Sequence, residues 1–199
     1  MDIFLHIWIK FFFLLTPFFS MSVFLSLTKD MENSEKKRIS IRTTFSVIIV
    51  CSVLYFFGNE IFNIFGITLD SFRIGAGTLL FISAVQMVQG SSYPEMNVNK
   101  KDIAVVPLAI PVTVGPATTG ALLVLGADVE NSWEKILGYL ALIIASTCVG
   151  VLLLLSASVI KVLGKNGLTI LEKLTGLILS ALASQIIFTG IKNFMFVTN

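Results

Sequence analysis

Hydrophobic positions in this chain fall into long unbroken blocks, not into alternation. Six blocks approach the roughly 20 apolar residues that an α-helix needs to cross a bilayer core of about 30 Å. They cover about 7–27, 44–62, 72–88, 103–125, 136–160 and 174–196. Polar residues are confined to short linkers, so the pattern predicts six transmembrane helices and no soluble domain. Residues 1–199 therefore read as one all-α membrane domain, with backbone groups satisfied inside helices. Composition agrees: the chain is 55% hydrophobic and 13% charged, against about 25% charged in a soluble domain. The opening MDIFLHIWIK holds an acid and no basic cluster, and SVFLSLTKD offers no small-residue cleavage site. The first block thus reads as a retained span and not as a signal peptide.

Charge in the linkers orients the spans. The first linker holds Lys29, Lys36, Lys37, Arg38 and Arg42; the third holds Lys100 and Lys101; the fifth holds Lys161, Lys165 and Lys173. The second and fourth carry Glu60, Asp70, Asp128, Glu130 and Glu134, with Arg73 and Lys135 as their only basic residues. Lys and Arg mark the cytoplasmic side, which puts both termini outside, with Lys10 as the one mild objection. A net charge of +2 gives no reason to expect a nucleic-acid partner. Cys51 and Cys148 lie inside apolar runs, where thiols behave as small hydrophobes.

The chain also repeats itself. Pro17 and Pro116 are 99 residues apart, and so are Gly77 and Gly176, and Gln86 and Gln185. One offset shared by three residue types predicts two repeats, about 1–95 and 100–199. Each holds three spans, and an odd number inverts the second copy in the membrane. Secondary transporters commonly have this architecture, with discontinuous helices in matching positions building a site near the midplane. The broken helices here would be the first and the fourth.

The candidate chemistry sits at those breaks. In IPVTVGPATTG at 110–120, a helix interrupted at Pro116 frees carbonyls on one side and N–H groups on the other. Such ends carry about half an elementary charge each, of opposite sign, and suit the carboxylate and ammonium of a small zwitterion. Thr118 and Thr119 supply hydroxyls, and Gly115 admits a ligand to the backbone. Thr16, Pro17 and Ser20 form the matching set in the first half. A single kink would need no such explanation, because membrane helices tolerate proline; the matched pair favours a site. Gln86 and Gln185 are amides on otherwise apolar helices, suited to a cavity or to interhelical bonds worth about 0.6 kcal/mol; their paired positions favour the cavity and a part in binding the solute. Arg73, three residues after Asp70 at a span end, reads as a snorkelling side chain with a local partner.

Enzyme readings fail for lack of parts. The sole histidine, His6, is near the N-terminus, and the chain has no HExxH, no zinc-spaced Cys/His cluster and no glycine-rich phosphate loop. No metal or cofactor is expected. No span carries a central Asp, Glu or His as a proton relay.

Several stretches resemble one family. FGITLDSFRIGAGTLLFISAVQMVQG at 65–90 is similar to the third span of MarC-type bacterial inner-membrane proteins. VPLAIPVTVGPATTGALLVLG at 106–126 is similar to the family's fourth span, and LEKLTGLILSALASQIIFTGIKNF at 171–194 to its last. TPFFSMSVFLSLT at 16–28 looks like a degenerate first-span motif. Thr16 replaces the usual acid or amide, Phe19 and Ser22 stand where Gly and Pro are common, and Ala117 replaces a glycine. The resemblance implies a six-span protein of the inner membrane, related to LysE-type amino-acid exporters, with a first-half site narrowed or altered. The expected function is secondary transport of small solutes, small neutral amino acids above all. A non-transporting scaffold or sensor is the alternative. The expected partners are the lipid bilayer and a small-molecule substrate, and self-association into a homo-oligomer stays open.

Overall fold

The computed structural model describes residues 2–90, 103–129 and 131–197. It is helical throughout, with no strand among the described residues. Helix α1 spans Asp2–Leu14, α2 Pro17–Leu27, α3 Asn33–Phe65 and α4 Leu69–Gln89. After an irregular segment, Ala104–Thr113, come α5 (Pro116–Ala127), α6 (Ser132–Leu154) and α7 (Ser156–Val197). Five stretches are long and apolar enough to cross a membrane, and the pair Ala104–Thr113 and Pro116–Ala127, bent by 68°, makes a sixth. Outward faces such as Ile49, Val53 and Phe57 on α3 and Leu177 and Phe188 on α7 are exposed. That is the surface lipid requires.

Three boundaries differ from the sequence expectation. Helix α3 begins at Asn33, well before residue 44, because the basic first linker continues the helix beyond the apolar stretch. The fifth span ends at Leu154 and not near 160: Leu155 interrupts it, and a short helical piece follows before Gly164. Gly164 takes φ 66°, ψ 175°, a conformation that only glycine adopts without strain. The helix then runs from 165 to 197. Most of the third linker, including Lys100 and Lys101, falls outside the described residues.

The packing repeats at the predicted offset. Helices α4 and α7 lie against each other along their length, α1 packs on α6, and Ala104–Thr113 packs on α3. A Cβ placed on Gly77 of α4 would meet the Ala183 carbonyl oxygen at 3.2 Å, and one on Gly176 of α7 would meet the Ala84 carbonyl oxygen at 2.9 Å. Residues 84 and 183 are themselves separated by the same offset as the two glycines. The two contacts are therefore one contact seen twice. Small residues let membrane helices approach this closely. Gly176→Leu should lower the melting temperature in detergent, since overpacking costs about 1–3 kcal/mol or more. Gly75→Leu, where a Cβ meets nothing within 4 Å, should leave it nearly unchanged.

The ends of the bundle are also fixed. At one end the Ser40 hydroxyl donates to the Gly150 carbonyl at 3.2 Å and Thr43 to the Ala104 carbonyl at 3.1 Å. At the other, the amide of Asn193 donates to Asp70 at 3.2 Å. Asp70 also accepts from Arg73, which bridges to Asp128.

Candidate functional site

Both proline breaks are present. Leu15 and Thr16 separate α1 from α2, and Val114 and Gly115 separate the irregular segment from α5. Each following helix starts with its proline, Pro17 or Pro116, the position where a missing N–H costs nothing. The segment before Gly115 is wound wide, with the N–H groups of Leu108 and Val114 donating to carbonyls five residues back. Val106 and Ile110 interrupt it in extended conformation, each before a cis proline.

The breaks meet. The Thr118 hydroxyl donates across to the carbonyl of Leu14, the last residue of α1, at 3.1 Å. Beside this bond lies a cavity of about 120 Å³. One water needs roughly 10–15 Å³ measured in the same way, so there is room for a small solute. Thr16 and Phe19 from the first half and Gly115, Pro116, Ala117 and Thr118 from the second line it, together with Pro111, Val112, Leu80, Ser83, Met87 and Leu179. Among the described residues, none that lines it carries an ionised side chain.

The polarity of this cavity differs from the sequence expectation. Hydroxyls occupy carbonyls at the first break, Thr118 bonding Leu14 and Ser20 bonding Leu15 at 3.4 Å, while Thr113 bonds Leu108 within the wide-wound segment at 2.8 Å. Neither α2 nor α5 has a side-chain cap at its N-terminus. The first-turn donors that the helices cannot satisfy internally are then Phe18 in α2, and Ala117 and Thr118 in α5. Two positive helix ends converge on one cavity, which favours a negative group there.

Thr16 takes φ 46°, ψ 57°, a left-handed conformation that is an outlier for a β-branched residue. Asn tolerates it far better. Thr16→Asn should therefore stabilise the protein by about 1 kcal/mol, raising the melting temperature by about 2–4 °C in a thermal scan.

The remaining sequence candidates separate. Pro17 is buried and Ser20 fully so, and neither lines the cavity. Thr119 lines a different, lateral groove between α4 and α5, rimmed by the exposed residues Ile67, Leu79 and Ile110. Gln86 is exposed on α4 and lines neither cavity. Gln185 lines a second cavity, of about 100 Å³, with Lys10, Arg73, Asp128 and Thr189. Arg73 itself is 5% exposed, so it is not a snorkelling residue. Leu80, Met87 and Leu179 escaped sequence reasoning because nothing marks them off from lipid-facing neighbours. Glu172, also passed over, stands toward the other end of α7, and its Oε1 is buried without a hydrogen bond among the described residues. No group of His, Cys, Asp and Glu among the described residues could hold a metal ion.

The chain is similar to proteins from distant organisms. A UPF0056 membrane protein of Buchnera aphidicola subsp. Baizongia pistaciae is 33% identical over 200 residues, covering 94% of this chain and 93% of the relative. UPF0056 membrane protein MJ1677 of Methanocaldococcus jannaschii is 32% identical over 190 residues, covering 91% and 92%. UPF0056 membrane protein YhcE of Escherichia coli is 29% identical over 199 residues, covering 96% and 92%. No solved structure matches. The model of the family described as MarC family integral membrane protein matches residues 1–195, and with that match over nearly the full length, this multi-pass membrane protein belongs to the MarC family.

Proposed function

We propose that this protein is a secondary transporter of small solutes, most fittingly small neutral amino acids, with no catalytic step or cofactor. Its place would be the bacterial inner membrane, with both termini on the outer side, as the linker charges favour. One observation carries the reading: two broken helices, one from each copy of the repeat, meet at a single cavity, joined by the bond from Thr118 to Leu14. Uncapped helix ends attract a carboxylate without a buried side-chain charge, and apolar walls of Leu80, Met87 and Leu179 limit the side chain that follows it. Rocking of the two repeats about this cavity would expose it to either side. Export is the direction the family resemblance implies.

The test is solute flux in proteoliposomes containing the purified protein and loaded with labelled glycine, alanine or serine. Saturable efflux of at least one, absent from protein-free vesicles, is expected. No flux of any of the three by folded protein would sink the amino-acid reading and leave the scaffold or sensor role standing.

A further inference from the structure

The second cavity has a chemistry of its own. Lys10 comes from α1, Arg73 from α4, Asp128 from the end of α5, and Gln185 and Thr189 from α7. Two cations and one carboxylate thus share a space with an amide and a hydroxyl. Arg73 is held from behind: it bonds Asp70 one helical turn away, and Asp70 also accepts from Asn193. Its other arm reaches Asp128, whose side chain remains 52% exposed. A guanidinium has five N–H donors, more than these two carboxylate contacts consume, and it pairs with carboxylates in a forked geometry. Ionisable groups placed among membrane helices commonly mark a solute path.

The two cavities are neighbours. Leu80, 2% exposed, lines both. Leu14 lines the second cavity while its carbonyl accepts from Thr118, which lines the first. A partition of these leucines separates them. The second cavity lies at the Arg73 end of the bundle, so a solute leaving the first cavity toward that end would meet it next.

We infer that the cavity formed by Lys10, Arg73, Asp128, Gln185 and Thr189 is a second solute subsite, built for a zwitterion. Lys10 and Arg73 receive its carboxylate and Asp128 its ammonium, while Gln185 and Thr189 add neutral hydrogen bonds. The inference rests on the proposed transport only for the solute's onward path; binding at the subsite stands without it.

Equilibrium binding of labelled alanine to the purified protein in nanodiscs tests this by stoichiometry. Two alanine molecules per chain are expected in the natural protein. Lys10→Gln/Asp128→Asn should leave one and Thr118→Val should leave one, and unlabelled propionate and alaninol should each compete more than tenfold less well than alanine at the site that survives Thr118→Val. One alanine per chain, lost in Thr118→Val and untouched by Lys10→Gln/Asp128→Asn, would overturn the subsite and leave the central site intact. One alanine per chain with the reverse dependence would uphold the subsite and remove the central one. No binding to any folded variant would overturn both. Where the double variant fails to elute as a single species, Gln185→Ala/Thr189→Val takes its place, with at least a tenfold weakening of the same site expected and an unchanged affinity counting against it.

Discussion

Thr118→Val should reduce the initial rate of solute efflux about fivefold or more, with Thr118→Ser retaining most of it. The Thr118 side chain spans the two breaks, and its hydroxyl satisfies a carbonyl that the break in the first span leaves without a helical partner. Valine keeps the shape and removes the donor, leaving a buried acceptor at a cost of about 1–3 kcal/mol. Every 1.4 kcal/mol spent against the transporting conformation is a tenfold loss in its population. Serine restores the donor. A structural role far from the solute would predict a lower melting temperature with flux per folded molecule unchanged in both variants, which separates the two explanations.

The second large effect is expected at Arg73. The residue is buried, and Asp70 and Asp128 both pair with it. Removing one partner of a buried ion pair strands the charges it compensated, at about 3–5 kcal/mol. Arg73→Met should therefore lower the melting temperature more than any single change at Asp128. Arg73→Met/Asp70→Asn should recover part of the loss, because it removes the more deeply buried of the two stranded carboxylates. Asp128→Asn alone should cost under about 1 kcal/mol, in line with an ion pair whose acidic partner is half in solvent. Thermal unfolding of the natural protein, Arg73→Met, Asp70→Asn and Arg73→Met/Asp70→Asn in one detergent closes the cycle and gives the coupling between Arg73 and Asp70 directly.

Much of the architecture was written in the spacing. A membrane demands about 20 apolar residues per helix, so the six spans were legible. A proline inside an apolar run removes a helical hydrogen bond and kinks or breaks the helix there, so both breaks were legible as well. Gly77 and Gly176 had shown the offset, and the reciprocal contacts of these residues with Ala183 and Ala84 give it physical content. What stayed hidden depends on tertiary neighbours. The bond from Thr118 to Leu14 joins residues 104 positions apart. No local pattern announces that hydroxyls would satisfy freed carbonyls and leave the helix N-termini facing the cavity. Arg73 reads from sequence as a snorkelling side chain with a local partner because Asp70 is one turn away, whereas Asp128 is brought to it by the fold. Gln86 and Gln185 share an offset but not an environment: one is exposed on α4, and the other lines the second cavity. The interruption at Leu155 carries no proline or glycine of its own, so the apolar run concealed it.

The central claim is that the two breaks form one solute site. It is tested most directly by solute protection of cysteines placed one in each half, Thr16→Cys and Ala117→Cys, in a Cys51→Ala/Cys148→Ala background. Both positions line the central cavity. The rate of alkylation by a small aqueous maleimide is measured against rising concentrations of the solute that shows efflux. Protection of both cysteines with the same half-saturating concentration is the predicted result. Protection of one alone, or of neither while efflux persists, would contradict the account.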